Sequence, residues 1–252
     1  PYELTSGERD VIERMETAFR NCEKLQKHMR LLLDKGGLYK IYNGNLLFHG
    51  CIPLNEDGSL KEIQIYGKKY KGRELYDVLE TYVRRAFFAV DSMEQRKGMD
   101  ILWFIWASPS SPLFGKDKMT TFERYFIADK ETHKETKGAY YHLLENEEVV
   151  DTLLQEFDLS PENGHIINGH VPVHQGEGES PVKCNGKVIV IDGGFCKAYQ
   201  KVTGIAGYTL IYNSYGLILS AHEPFTSKED AVSKESDIVS NRVSVHYTSK
   251  RR

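Results

Sequence analysis

Leu46-Leu-Phe-His49-Gly50 and Ile166-Ile-Asn-Gly169-His170 are the two stretches on which the reading of this chain turns. Each is an apolar run of β type that ends in a histidine beside a glycine. In open α/β sheets ligands bind beyond the carboxyl ends of the strands, so both imidazoles are carried to the edge where catalysis is usually built. The glycines fit that placement, because a missing side chain lets backbone or a ligand come close. The histidines lie 121 positions apart, so any convergence is tertiary. Neutral imidazole ligates first-row transition metals, and two of them can supply part of a two-metal site. A strand-end histidine is more commonly an ordinary hydrogen-bonded residue, and the spacing leaves both readings open.

Working outward, Leu38–Phe48 reads as two β runs around Asn43-Gly44, a dipeptide that tolerates the positive φ angles of a tight hairpin. Before it, Thr5-Ser-Gly-Glu8 is a helix-start signature, and apolar residues from Val11 to Leu33 recur at three- and four-residue spacing up to Gly36-Gly37, read as a left-handed stop. After His49, a second hairpin is expected around Gly67, then a helix from about Glu74 to Val90. A hydrophobic helix or strand follows through Trp103 and Trp106, both expected in the core, and breaks at Ser108-Pro109. Residues 113–137 have no clean period and read as a loop with short helical pieces. A helix over 140–157 precedes strands at 165–168, 187–191, 208–212 and 217–221, then a short polar helix near 227–239 and a last strand at 242–247. No internal repeat or long linker interrupts this order, so the fold class is α/β and the simplest organisation is one domain over 1–252.

Composition narrows the function. With 33 Lys and Arg against 36 Asp and Glu, the 252-residue chain has a formal net charge of −3, which excludes a generally basic nucleic-acid binder. The longest apolar run, Ile101–Ala107, is far short of a membrane span, so no membrane partner is expected. Four cysteines without a CxxC pair suit reduced thiols in a cytoplasm. The opening Pro1-Tyr-Glu-Leu has neither methionine nor signal-peptide character, so the chain is not expected to begin where its gene begins.

LLFHGCIPL, INGHVPV and NGKVIVIDGGF, with the following GYTLIYNSYG hairpin, resemble the second half of the calcineurin-like metallophosphoesterases. More closely, HGCIPLNEDGS, FGKDKMTTFERYF, INGHVPV and IDGGFCKAYQKVTGIAGYTLIYNSYGL resemble the bacterial class III fructose-1,6-bisphosphatases, through most of the chain. The resemblance implies part of an α/β/β/α sandwich with mixed sheets and two divalent ions, often manganese, at a sheet edge. It also implies hydrolysis of the 1-phosphate of fructose 1,6-bisphosphate in gluconeogenesis. By motif, His49 and His170 carry over as metal ligands. The Asp-x-His, Gly-Asp-x-x-Asp and Gly-Asn-His motifs of such enzymes occur nowhere in this sequence. The chain therefore reads as a C-terminal portion whose partner is the missing N-terminal part of the same protein, and the isolated chain is expected to be inactive. Homo-oligomerisation stays open. Two alternatives stand beside this: another phosphatase of the superfamily acting on phosphoproteins or dinucleoside polyphosphates, and a non-catalytic module that binds a phosphorylated metabolite. The KDKMTTFERYF stretch argues against the first.

Other residues carry two readings each. Arg124, Lys116 and Lys118 can pair with the phosphates of a sugar bisphosphate, or belong to a solvated loop whose aromatics pack inward. Lys197 and Tyr199, just past Gly193-Gly194, are substrate-binding candidates on position alone. Asp192 either orients a ligating histidine as a hydrogen-bond acceptor or is a turn residue. His165, His174 and Cys184 match no common zinc spacing and read as ordinary loop residues.

Overall fold

A computed structural model describes residues 3–214, 216–222, 227–234 and 240–244. In chain order its elements are α1 (Ser6–Arg20), α2 (Glu23–Lys35), β1 (Tyr39–Tyr42), β2 (Asn45–Phe48), β3 (Ile63–Ile65), β4 (Lys68–Tyr70), α3 (Gly72–Phe88), α4 (Ser92–Ala107) and α5 (Thr121–Phe126). There follow α6 (Ala139–His142), α7 (Glu147–Glu156), β5 (His165–Asn168), β6 (Val182–Lys183), β7 (Val188–Val190), α8 (Lys197–Thr203), β8 (Gly207–Asn213), β9 (Gly216–His222), α9 (Lys228–Ser233) and β10 (Ser240–Ser244).

The main sheet grows from the hairpin at Asn43 (φ 51°) and Gly44 (φ 76°), two left-handed residues that match the twist of the strands they join. Strand β2 pairs in parallel with β5, Leu46 beside Ile166, and β5 pairs in parallel with β7, Ile166 beside Val188. Strands β1 and β6 close the edges antiparallel, giving the order β1-β2-β5-β7-β6. The result is the expected α/β class with a mixed sheet. Its central strands are apolar between their ends because helices and the β8-β9 hairpin cover them: Leu153 and Leu154 of α7, Phe157 just beyond it, Tyr208 and Leu219 share one core with Leu46, Ile166 and Ile189. Strands β8, β9 and β10 form a separate antiparallel sheet. The last strand begins two residues earlier than the sequence suggests, and positions 245–247 of that expectation lie outside the described residues, as do 235–239 of the expected polar helix.

A second core joins the β3-β4 hairpin to α3 and α4 through Ile63, Ile65, Leu75, Leu79, Val83, Ile101 and Ile105. Here the structure corrects the expectation for the tryptophans. Trp103 and Trp106 face outward, 65% and 58% exposed, as an edge-to-face pair. The face that packs carries Gly98, Ile101 and Ile105, because glycine lets α4 approach α3: a Cβ at Gly98 would sit 2.3 Å from the Ala86 nitrogen.

Helix boundaries show where local chemistry overrides apolar spacing. The Thr5 hydroxyl accepts from the Glu8 amide while the Glu8 carboxylate accepts from the Thr5 amide, the reciprocal cap its sequence calls for. One continuous helix to Gly36 is not formed, since Asn21 caps α1 and Cys22 is extended before α2 starts. Gly36 is extended, not left-handed; it is glycine because a Cβ would lie 2.4 Å from the Leu32 carbonyl oxygen. The Arg84 guanidinium donates to the carbonyls of Leu33 and Gly36 there, answering orphan acceptors of the helix end. Likewise 140–157 is two helices, because the Asn146 side chain accepts from the Val149 amide and starts α7 afresh.

Candidate functional site

The parallel pairing of β2 with β5 sets their carboxyl ends side by side, and the two histidines leave the sheet there. His49 Nε2 lies 3.0 Å from His170 Nδ1, with the rings edge to face at 4.9 Å between centroids. The corners that carry them are tied together by backbone and side chain. The Gly169 amide donates to the His49 carbonyl at 2.9 Å, and Asn168 Nδ2 donates to the Gly50 carbonyl at 3.3 Å. Gly50 has no room for a side chain, since a Cβ would meet the Pro112 carbonyl oxygen at 2.4 Å, and the Cys51 amide donates to that same oxygen. His170 is held at φ +67°, a left-handed conformation that a residue with a Cβ adopts only at a cost of about 1–3 kcal/mol. Strained backbone of this kind clusters at functional sites, and here it turns the ring toward His49.

The electrostatics favour a neutral ring at His170. Burial holds the His170 pKa below its ordinary value, and His49 and Lys116 push it further in the same direction, against the Phe114 carbonyl and Asp192. His170 Nε2 lies 3.0 Å from the Phe114 carbonyl oxygen, which can only accept. That contact assigns the proton to Nε2 and leaves a lone pair on Nδ1, facing His49. Two ring nitrogens bound to one ion at about 2.1 Å and a right angle are about 3.0 Å apart, so the pair fits two adjacent ligand positions of a divalent metal. It does not complete a site: among the described residues no group of three or more His, Cys, Asp or Glu side chains could hold a metal ion. His165, His174 and Cys184 accordingly form no such cluster.

Asp192 follows β7 at the same edge. It flanks the glycine between the corners, for a Cβ on Gly169 would lie 3.6 Å from the Asp192 Cβ and 3.7 Å from the His49 carbonyl oxygen. Its hydrogen bond is not to a histidine, however. Asp192 Oδ1 accepts from the Gly194 amide at 2.9 Å, the turn role, and both His170 nitrogens face other groups. Asp192 therefore acts on His170 through charge, not as the acceptor that orients it.

The loop candidates divide. Lys116 pairs with Glu135 at 2.9 Å and its charge is felt at His170. Arg124 is engaged inside its own loop instead of with a phosphate, Nε donating to Thr120 Oγ1 at 2.9 Å and Nη2 to the His133 carbonyl at 3.1 Å, and Lys118 Nζ is 3.4 Å from the Thr132 carbonyl. Phe122, Tyr125 and Phe126, which pack inward on the solvated-loop reading, are all more than 70% exposed. Lys197 and Tyr199 stand on α8, in the segment that follows Asp192.

A cavity of about 830 Å³ opens at the histidines. Its walls are the sheet face at Leu47, Ile167 and Ile191 and the helix side chains Leu33, Val83 and Ile105; His49, His170, Asp192 and Phe195 line it as well. Sequence reasoning singled out neither Asn168 nor Phe195. Asn168 had a signal, the polar residue closing an otherwise apolar strand run; Phe195 had none, since only the fold brings it to this cavity.

A family model described as Firmicute fructose-1,6-bisphosphatase matches residues 1–252. The chain is 57% identical over 253 residues to "Fructose-1,6-bisphosphatase class 3" of Clostridioides difficile (strain 630), and 54% identical to the protein of that description from Clostridium botulinum (strain Loch Maree / Type A3). Each alignment covers all of this chain and 38% of the relative, so the chain spans well under half the length of these relatives. No solved structure matches it. A match along its whole length, and relatives more than half identical across it, leave one conclusion: the chain belongs to the Firmicute fructose-1,6-bisphosphatase family.

Proposed function

We propose that the protein to which this chain belongs hydrolyses fructose 1,6-bisphosphate to fructose 6-phosphate and phosphate, and that this chain supplies two of its metal ligands, His49 and His170. The observation that carries the reading is the convergence of these two rings, His49 Nε2 within 3.0 Å of His170 Nδ1, at the carboxyl ends of two parallel strands. Two divalent ions, manganese on this reading, supply a water-derived nucleophile at neutral pH and neutralise phosphoryl charge when bound. The chain's own part is to hold both imidazoles in place, with the Gly169 amide and the Asn168 side chain locking the corners. Of the five substrate-binding candidates, Lys116 is the one whose charge is felt at His170, and on this reading it meets a phosphate from its ion pair with Glu135.

The remaining ligands come, on this reading, from the part of the protein that the relatives' greater length represents, lying N-terminal to this chain and completing an α/β/β/α sandwich. Residues 1–252 are then one domain's C-terminal portion, inactive alone, in a cytoplasmic enzyme of sugar metabolism. The apolar cavity wall at Leu47, Ile167 and Ile191 supports a second layer there.

The test is manganese-dependent phosphate release from fructose 1,6-bisphosphate by the full-length protein, by this chain, and by full-length His49→Ala and His170→Ala. Activity confined to the intact protein and lowered at least 100-fold by either substitution is expected. Activity that survives both substitutions overturns the ligand assignment.

A further inference from the structure

A solvent-exposed phenylalanine is unremarkable singly. Phe195 differs in how its position is built. It is 64% exposed, yet it lines the cavity that holds His49, His170 and Asp192. Its ring lies directly against a glycine: Gly207 sits at φ +128°, and a Cβ there would meet three ring carbons of Phe195 at 2.6, 2.7 and 2.8 Å. Behind Gly207 comes Gly193, whose added Cβ would lie 2.7 Å from the Gly207 Cα. Two bare glycines thus layer the Asp192–Phe195 corner onto the start of β8, and the ring rests on that layer.

A hexose bisphosphate is charged at both ends and presents C–H groups between them. Ligand sites pair a few polar groups, which fix orientation, with apolar and aromatic walls that take the rest of the ligand. The histidine corner is the polar end here; Tyr39 and Phe48 also line the cavity, but Phe48 is buried in the core, whereas Phe195 is exposed and follows Asp192 at that strand end. We propose that Phe195 is a specificity-determining residue: its ring is the wall for the carbohydrate body of the substrate, and Gly207 sets where that wall stands. The inference rests on the hydrolase reading above and adds which part of the substrate this chain recognises.

The experiment uses the full-length protein and measures kcat and KM for fructose 1,6-bisphosphate with manganese, equilibrium binding of that sugar by calorimetry with manganese left out so that it is not hydrolysed, and competitive inhibition by inorganic phosphate, which has no carbohydrate. Loss of about 50 Å² of apolar contact corresponds to roughly a tenfold weakening. Phe195→Ala is therefore expected to raise KM and Kd about tenfold with kcat within threefold, and to leave the phosphate inhibition constant within twofold. Phe195→Tyr keeps the ring and restores KM. Gly207→Ala displaces the ring and reproduces Phe195→Ala, with no further effect in the double variant. An unchanged KM and Kd in Phe195→Ala overturns the proposal, and so does a parallel rise in the phosphate constant, which would report damage to the whole site. Wild-type protein that binds the sugar without hydrolysing it fails the hydrolase reading alone, and the Kd comparison still decides the role of Phe195. Wild-type protein that does not bind it overturns both.

Discussion

One side-chain amide joins the two histidine-bearing corners. Asn168 is buried, and its Nδ2 donates to the Gly50 carbonyl. Asn168→Ala removes that donor and leaves the carbonyl unanswered, a loss of about 1–3 kcal/mol that urea unfolding will measure. Asn168→Asp will destabilise further, because it sets a carboxylate oxygen against the carbonyl. Glu135 does comparable work in the neighbouring loop, accepting from Lys116 Nζ, the Thr120 amide and the Thr120 hydroxyl. Burial alone would raise its pKa, but Lys116 and the Thr120 donors hold it down at about 2 against an ordinary 4.5. A depressed carboxylate contributes stability that is fully present above pH 4.5 and is lost as pH falls toward 2. Glu135→Gln should therefore be less stable than wild type at pH 7, and denaturation midpoints should converge as pH is lowered through that window. The sequence made His49 and His170 legible because each ends an apolar strand run. It could not assign Arg124, whose fork suits a phosphate equally well on paper; the hydroxyl and carbonyl it binds are visible only once α5 and the turn at Lys130–His133 are folded together.

Between elements, legibility follows the range of the interaction. The hairpins at Asn43-Gly44 and Tyr66-Gly67 could be read because a two-residue turn is local: both residues of each turn take positive φ. The split between α1 and α2, and the inner face of α4, depend on competition that spacing does not record. Helix α4 is apolar all round near its end, so no stripe in the sequence marks which side is buried. Gly98 decides it. Gly98→Ala will push α3 and α4 apart, since the added carbon would meet the Ala86 nitrogen at 2.3 Å and the Tyr82 carbonyl oxygen at 2.5 Å, all backbone. The expected net cost is about 1–3 kcal/mol, although alanine is the better helix former by ~1 kcal/mol. Gly7→Ala is the control: it also lies in a helix, with nothing within 4 Å of an added Cβ and no buried residue in α1, so its melting temperature should match wild type or slightly exceed it.

Across the whole molecule, α1 and α4 are helices that present apolar surface without a partner among the described residues. Helix α1 exposes Val11, Ile12, Met15 and Phe19 on one side, and none of its residues is buried. Helix α4 exposes Met99, Leu102, Trp103 and Trp106 at i, i+3, i+4 and i+7, the spacing of a packing face. Contiguous apolar surface of this kind is an association site, and a net charge of only −3 over 252 residues gives little repulsion against self-association. The isolated chain should therefore bind a hydrophobic dye and show a sedimentation coefficient that rises with protein concentration. Replacing both Trp103 and Trp106 by serine removes the largest exposed rings of α4 without touching its buried residues Ile101 and Ile105. That double variant should lose much of the dye signal and the concentration dependence while its unfolding free energy moves by no more than about 1 kcal/mol. A large loss of stability instead would mean that the two rings support the fold of this chain, and that α4 has no face left for anything outside it.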